Sequence, residues 1–273
     1  MLPLVFSHGN SFSASTYRVL FKALEQRGFE VHAVERFGHT PQYPVTNNWT
    51  NLVQQLADFT SEQVQRHGGP VFLVGHSLGG FLSVMAAALH PQLARGVLLL
   101  DSPLLGGWKA NAVGMAKKTQ VVGSISPGKV SRQRRFSWAN NEEALEHFRK
   151  KKVFSRWHPD VLQDYITHGL KDEGGKRVLA FDREVETAIY NTLPHNMGRL
   201  LRAHPLQCPA AFIGGLDSDE MKQVGMAMTQ RVTQGRNMMV DGSHLFPMEQ
   251  PMMTAAAVEA ALLNLSAIAP PRK

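Results

Sequence analysis

The chain has only one cysteine in 273 residues, Cys208, so no internal disulfide framework can form and nothing suggests secretion. Set directly before Pro209, that residue reads as a small apolar group rather than a reactive thiol. A basic start followed by a short apolar core is also missing: Met1-Leu2-Pro3 runs straight into an apolar stretch. No apolar run approaches the ~20 residues that a membrane span needs. A cytoplasmic protein without a membrane partner is the expectation. Acidic side chains are the scarcer kind, 22 against 29 lysines and arginines, for a formal charge of +7. That balance raises the question of a nucleic-acid partner. The surplus gathers at Lys129–Arg135 and Arg149–Lys152, with no recognised nucleic-acid module beside it, so it reads as solvated helix and loop surface. No nucleic acid is expected.

What remains is a globular composition, 43% hydrophobic and 19% charged, in a chain long enough for one large domain or one domain with an insertion. Its organising stretch is Val71-Phe-Leu-Val-Gly-His-Ser-Leu-Gly-Gly80. An apolar, β-prone run ends at a sharp turn with Ser77 at its apex. Helix formers then run from Phe81 to Leu89 until His90-Pro91 stops them. A serine on a strained strand-to-helix turn needs glycine two positions away on either side, because a Cβ there would strike the neighbouring strand or helix. The helix start also brings free backbone N–H groups and a positive dipole end to the place where negative charge would develop.

Before this turn the chain reads β, α, β, α, β and after it α, β. The strands are Leu2–Ser7, Phe29–Val34, Val71–Val74 and Gly96–Asp101, and the helices Tyr17–Gln26, Asn51–Arg66 and Phe81–Leu89. Buried apolar strands alternating with helices predict a mostly parallel central sheet covered on both faces, an α/β fold. From Leu104 to about residue 200 the rhythm changes. Helical stretches at Asn141–Lys152, His158–His168, Thr187–Asn191 and Met197–Ala203 appear, with no convincing buried strand and with three of the four tryptophans. This segment reads as an inserted helical cap. The sheet resumes at Cys208–Gly214, followed by an acidic loop, a helix over Met221–Val232, a last strand at Asn237–Val240 and an Ala-rich helix over Thr254–Leu265.

Three loops at strand ends each present one candidate catalytic group: Ser77, Asp217 and His244. A serine hydroxyl is a poor nucleophile until a base takes its proton. Imidazole does so near neutral pH, and a carboxylate fixes its tautomer and steadies the imidazolium. Asp101, at the end of a central strand, is the alternative acid, and Asp219 reads as a cap of the helix after it. The N–H groups of Leu78 and Asn10 are the expected donors to a tetrahedral oxyanion. His8 and His76 read as structural histidines that hold loops. His39, His67, His90, His147, His158, His168 and His204 show no ligand-like spacing with cysteine or carboxylate, so neither metal nor cofactor is expected. Trp108, just beyond the junction of sheet and insertion, is a candidate wall of a substrate pocket. The methionines at 221–228, 248, 252 and 253 read as packing.

His8-Gly9-Asn10, Gly75-His-Ser-Leu-Gly-Gly80, Gly214-Gly-Leu-Asp217, and Gly242-Ser-His244 with Pro247 and Glu249-Gln-Pro251 occur in the order Ser, Asp, His. In these residues, which span nearly the whole chain, the protein resembles the α/β-hydrolase fold superfamily, in its small capped serine esterase type. The resemblance implies a core of residues 1–103 and 201–273 with a cap over residues 104–200. It also implies a sheet of six strands, since the family's N-terminal antiparallel hairpin is missing here. The loop Glu35–Pro41 matches the family's usual pattern imperfectly. The expected activity is cleavage of an ester, thioester or lactone with a moderately sized apolar group, through an acyl-enzyme. Two rivals stand beside it: a carbon–carbon bond hydrolase of the meta-cleavage product type using the same triad, and a non-catalytic small-molecule receptor on the same scaffold. Serine at position 77, where dehalogenases and epoxide hydrolases of this fold carry aspartate, argues against those activities. A homodimer through an apolar cap is a fold-level analogy.

Overall fold

In a computed structural model, residues 1–106 and 132–268 are described. Six strands, β1 (Leu2–Ser7), β2 (Phe29–Ala33), β3 (Val71–His76), β4 (Ala94–Leu100), and later β8 (Ala210–Gly215) and β9 (Asn237–Val240), form one sheet in the order β2-β1-β3-β4-β8-β9. Every pairing in it is parallel. The expected six-stranded sheet flanked by helices is present.

Period-two alternation explains why both faces are covered. Leu4, Phe6, Phe72, Val74, Leu98 and Leu100 pack on one side, with α1 (Arg18–Glu25) and the long C-terminal helix Pro251–Ile268. Val5, Val71, Leu73, Val97 and Leu99 pack on the other, with α2 (Thr50–His67) and α3 (Leu78–Leu89). Residues Leu78–Ala88 of α3 are all buried, which suits a helix that is apolar all round. Among the described residues the helix Pro251–Ile268 alone is long and apolar enough to cross a membrane. Its buried stripe, Pro251, Thr254, Ala255, Val258, Ala261, Leu262 and Leu265, follows the helical period and joins the core of the sheet.

Between β4 and β8 lie α4 (Asn141–Arg149), α5 (Pro159–His168), α6 (Arg183–Asn191) and α7 (Met197–Ala203). The expectation of helices alone here is corrected: β5 (Ser137–Trp138), β6 (Leu170–Glu173) and β7 (Lys176–Leu179) make a three-stranded antiparallel sheet in the order β5-β7-β6. Gly174 and Gly175, at φ +58° and +73°, close the β6–β7 hairpin with the positive φ at both central residues that a tight two-residue turn requires. The segment's aromatic cluster of Trp138, Phe148, Trp157 and Tyr165 is continuous with the core around Phe6 and Tyr17.

After β8 the expected single helix is two, α8 (Asp219–Val224) and α9 (Ala227–Thr233), broken at Gly225, whose φ of +81° ends a helix. Two more follow β9: α10 (Phe246–Glu249) and α11 (Pro251–Ile268). The helix cap anticipated at Asp219 is Ser218, whose hydroxyl accepts the Met221 N–H.

Candidate active site

Ser77 sits between β3 and α3 at φ +53°, ψ −117°, a conformation that costs energy and persists only where neighbours enforce it. Here they do. The Ser77 N–H donates to the Leu100 carbonyl at 3.0 Å, and the Ser102 hydroxyl donates to the Ser77 carbonyl at 2.6 Å. A Cβ on Gly75 would meet the Gly79 carbonyl, and one on Gly79 the Ser7 carbonyl. The crossing of strand, turn and helix is therefore closed to any larger residue.

His244 Nε2 lies 3.0 Å from Ser77 Oγ and His244 Nδ1 lies 2.7 Å from Asp101 Oδ2. The carboxylate that meets the imidazole is thus Asp101, and the expectation of Asp217 is corrected. Asp101 follows β4 at φ +41° and is fully buried. Its Oδ1 accepts the Gly215 N–H at 2.8 Å and its Oδ2 also accepts the Ser218 hydroxyl at 2.6 Å. Burial works against its ionisation, but the bonds from His244, Ser218 and Gly215 overcome that and hold the carboxyl below the usual range. Asp217 turns outward instead, 62% exposed, with Oδ2 3.0 Å from Arg156 Nη2. The loop after β8 contributes Ser218, a hydroxyl donor to the acid, where the sequence suggested the acid itself. Asp219 pairs with Lys222 at 3.1 Å.

The two structural histidines have defined tautomers. His8 Nδ1–H donates to the Gly9 carbonyl at 2.8 Å and Nε2 accepts the Phe37 N–H at 3.0 Å. His76 Nε2–H donates to the His244 carbonyl at 2.8 Å, so Nδ1 accepts from the Tyr17 hydroxyl at 2.7 Å. That hydroxyl accepts the Gly9 N–H at 3.0 Å. Burial pushes His8 down to about 4 and His76 to about 3, so both are neutral at pH 7. This chain of bonds joins the backbone of His244 to the loop after β1.

That loop carries Asn10. Its Nδ2 donates to the Glu186 carbonyl at 3.2 Å and its Oδ1 accepts the Ser11 N–H at 3.1 Å. The Ser11 hydroxyl bonds Glu186 Oε1, and Glu186 Oε2 pairs with Arg134 Nη2 at 2.8 Å. Glu186 is 3% exposed. Nothing in the sequence marked it, because its role depends on α6 reaching the loop after β1. Leu78 opens α3, where a backbone N–H has no intrahelical partner.

Two recesses meet at Ser77, His244, Asn10 and Tyr190. One is a cleft of about 490 Å³ with Lys152, Arg156, Glu220 and Glu249 in its wall. Arg156 spans Asp217 and Glu249, and Glu249 in turn accepts the Ser243 hydroxyl at 2.6 Å. The other, about 150 Å³, is lined chiefly by Trp49, Phe81, Leu105, Ile189 and Leu193. Trp108 lies outside the described residues.

An acid, a base and a hydroxyl in line, beside the N-terminus of α3 and an apolar recess, is an arrangement suited to covalent acyl transfer. The comparisons agree at the level of family. The description "Alpha/beta hydrolase family" matches residues 4–257. A serine hydrolase-like protein of Dictyostelium discoideum is 25% identical over 279 residues, covering 89% of this chain and 69% of that one. The sn-1-specific diacylglycerol lipase ABHD11 of Danio rerio is 35% identical over 107 residues, 38% of this chain and 32% of that protein. Among solved structures, the peroxisomal alpha-beta-hydrolase Lpx1 of Saccharomyces cerevisiae aligns with a TM-score of 0.73 at 15% identity, covering 100% of this chain and 78% of that one. The chain belongs to the alpha/beta hydrolase family.

Proposed function

We propose that this protein is a serine hydrolase that cleaves a carboxylic ester, thioester or lactone through an acyl-enzyme on Ser77. The observation that carries the proposal is the unbroken line Ser77 Oγ–His244 Nε2 at 3.0 Å and His244 Nδ1–Asp101 Oδ2 at 2.7 Å. Ser77 attacks the carbonyl carbon while His244 Nε2 takes its proton. Asp101 keeps Nδ1 protonated and steadies the imidazolium. The Leu78 and Asn10 N–H groups receive the oxyanion. His244 then returns the proton to the departing oxygen or sulfur, and a water repeats the sequence to free the acid. No cofactor enters. The lipase named among the relatives supports ester chemistry.

The two recesses divide the substrate. The apolar recess of about 150 Å³ takes the acyl chain and holds it to modest length, while the wider, charged cleft takes the leaving group. The described part of the insertion, residues 132–200, acts as a cap whose α6 supplies Ile189 and Tyr190 to these walls. Hydrolysis of p-nitrophenyl esters from acetate to decanoate tests the reading, with Ser77→Ala beside the native chain. Activity lost in Ser77→Ala, with an optimum at short to medium chains, is expected. No turnover of any ester by a folded protein, or turnover that survives Ser77→Ala, overturns it.

A further inference from the structure

Away from Ser77, on the outermost strand, three ligand-type side chains converge. Glu30 and His32 alternate along β2, so the two-residue period puts both on one face. His67 ends α2, where Gly68 at φ +69° closes the helix and leaves the imidazole beside that face. His32 Nε2 and His67 Nε2 are 3.1 Å apart. Glu30 Oε1 lies 3.2 Å from the first and 3.8 Å from the second. The histidine side chains are only 14% and 17% exposed, so their directions are set by packing, while Glu30 at 37% leaves an opening to solvent.

These separations have a simple meaning. Zinc binds imidazole nitrogen and carboxylate oxygen at about 2.0–2.2 Å. At a radius of about 2.1 Å, gaps of 3.1, 3.2 and 3.8 Å correspond to angles of about 95–130°, which bracket the tetrahedral value. One point therefore lies at bonding distance from all three atoms with no side chain moved. Two nitrogens and one carboxylate favour a borderline cation over calcium or magnesium, which prefer all-oxygen shells.

We propose that Glu30, His32 and His67 form a binding site for one zinc-class divalent cation, with water in the fourth position, that staples edge strand β2 to the end of α2. His32 and His67 lie 35 residues apart in sequence, which is why no local spacing revealed the site. The inference does not depend on the hydrolase reading.

The test is zinc titration of the tag-free, full chain by calorimetry, with thermal melting alongside. Saturable binding of one Zn²⁺ per chain is expected, with a rise in melting temperature. His32→Gln, His67→Gln and Glu30→Gln should each weaken binding at least tenfold and abolish the rise, while His90→Gln should not. The second His-carboxylate cluster, Asp101, Glu220 and His244, belongs to the candidate active site. Zinc held there would survive His67→Gln and be displaced in Glu220→Gln. Metal-free melting curves of the variants report whether each one folds. No saturable binding by the native chain, or binding unchanged in folded His32→Gln and His67→Gln, overturns the proposal.

Discussion

Asp101, not Asp217, closes on His244: 2.7 Å separates Oδ2 from Nδ1, while Asp217 faces solvent and Arg156. The two aspartates consequently differ sharply in what their removal should do. In Asp101→Asn the amide can donate to Nδ1, which stabilises the wrong tautomer, and the buried counter-charge is gone. Ester kcat should fall on the order of 10⁴-fold. Asp217→Asn loses only an exposed ion pair, worth at most about 1 kcal/mol, so its kcat/KM should stay within roughly fivefold of the native value. Parallel steady-state kinetics of the two variants decide the matter, and the reverse ranking would reinstate Asp217.

Glu186 should matter out of proportion to its distance from the reacting atoms. Its carboxylate holds the Ser11 hydroxyl and Arg134, and its carbonyl holds the Asn10 side chain. Glu186→Gln leaves Arg134 without its counter-charge, and breaking such a buried pair costs about 3 kcal/mol or more. In a chain of this size that is roughly 6–12 °C of melting temperature. Because the loop it holds carries the Asn10 N–H, kcat should drop more than KM rises. A variant that melts early yet keeps native kcat would limit Glu186 to stability.

Much of this was legible because it is local. The turn at Ser77 needs glycines at fixed offsets, and strands buried on both faces read as apolar runs, so the sheet and Ser77 follow from short stretches. The acid was different. Gly214-Gly-Leu-Asp217 and Leu98-Leu-Leu-Asp101 both end strands with an aspartate, and only the backbone decides which one turns inward. At Asp101 a φ of +41° and an N–H bond to the Ile213 carbonyl turn it inward. The small sheet between β4 and β8 is not legible because its strands are two to four residues long, and Leu170–Glu173 and Lys176–Leu179 mix charged with apolar residues. The Gly174-Gly175 pair was its one local mark. Glu186 and the His32–His67 pair depend on contacts between distant segments, which no spacing encodes.

Phe81 on α3 forms one wall of the small apolar recess. Phe81→Ala should deepen it and move the optimum of the p-nitrophenyl ester series to longer chains. One methylene in such a pocket is worth about 1–3 kcal/mol of discrimination, so the preference should shift by at least tenfold in the ratio of kcat/KM for decanoate over butyrate. A uniform loss across the series would mean that the acyl chain lies elsewhere, in the wider cleft.

Stability should fall on the acid side well before carboxylates titrate, for a reason that rests on His8 and His76. Unfolded, each binds a proton near pH 6.5; folded, burial delays this to about 4 for His8 and about 3 for His76. Above pH 6.5 both states carry neutral imidazoles and the two residues add no slope. Between pH 6.5 and 4 the unfolded chain holds about two protons more than the folded one. Each such proton removes about 1.4 kcal/mol per pH unit of stability. The melting temperature should therefore drop by roughly 5 °C or more per unit through this window, a slope that His76→Gln should about halve. Asp101 adds a later loss, because its carboxyl is held low in the folded state and its contribution disappears only as pH falls below the usual carboxylate range. Melting curves at half-unit intervals from pH 8 to 4 check the sign. A midpoint that stays flat down to pH 4 would mean that both imidazoles take up their protons in the folded protein as readily as in the unfolded chain. That would break the donation from Tyr17 to His76, and with it the bonded line from Gly9 to His244.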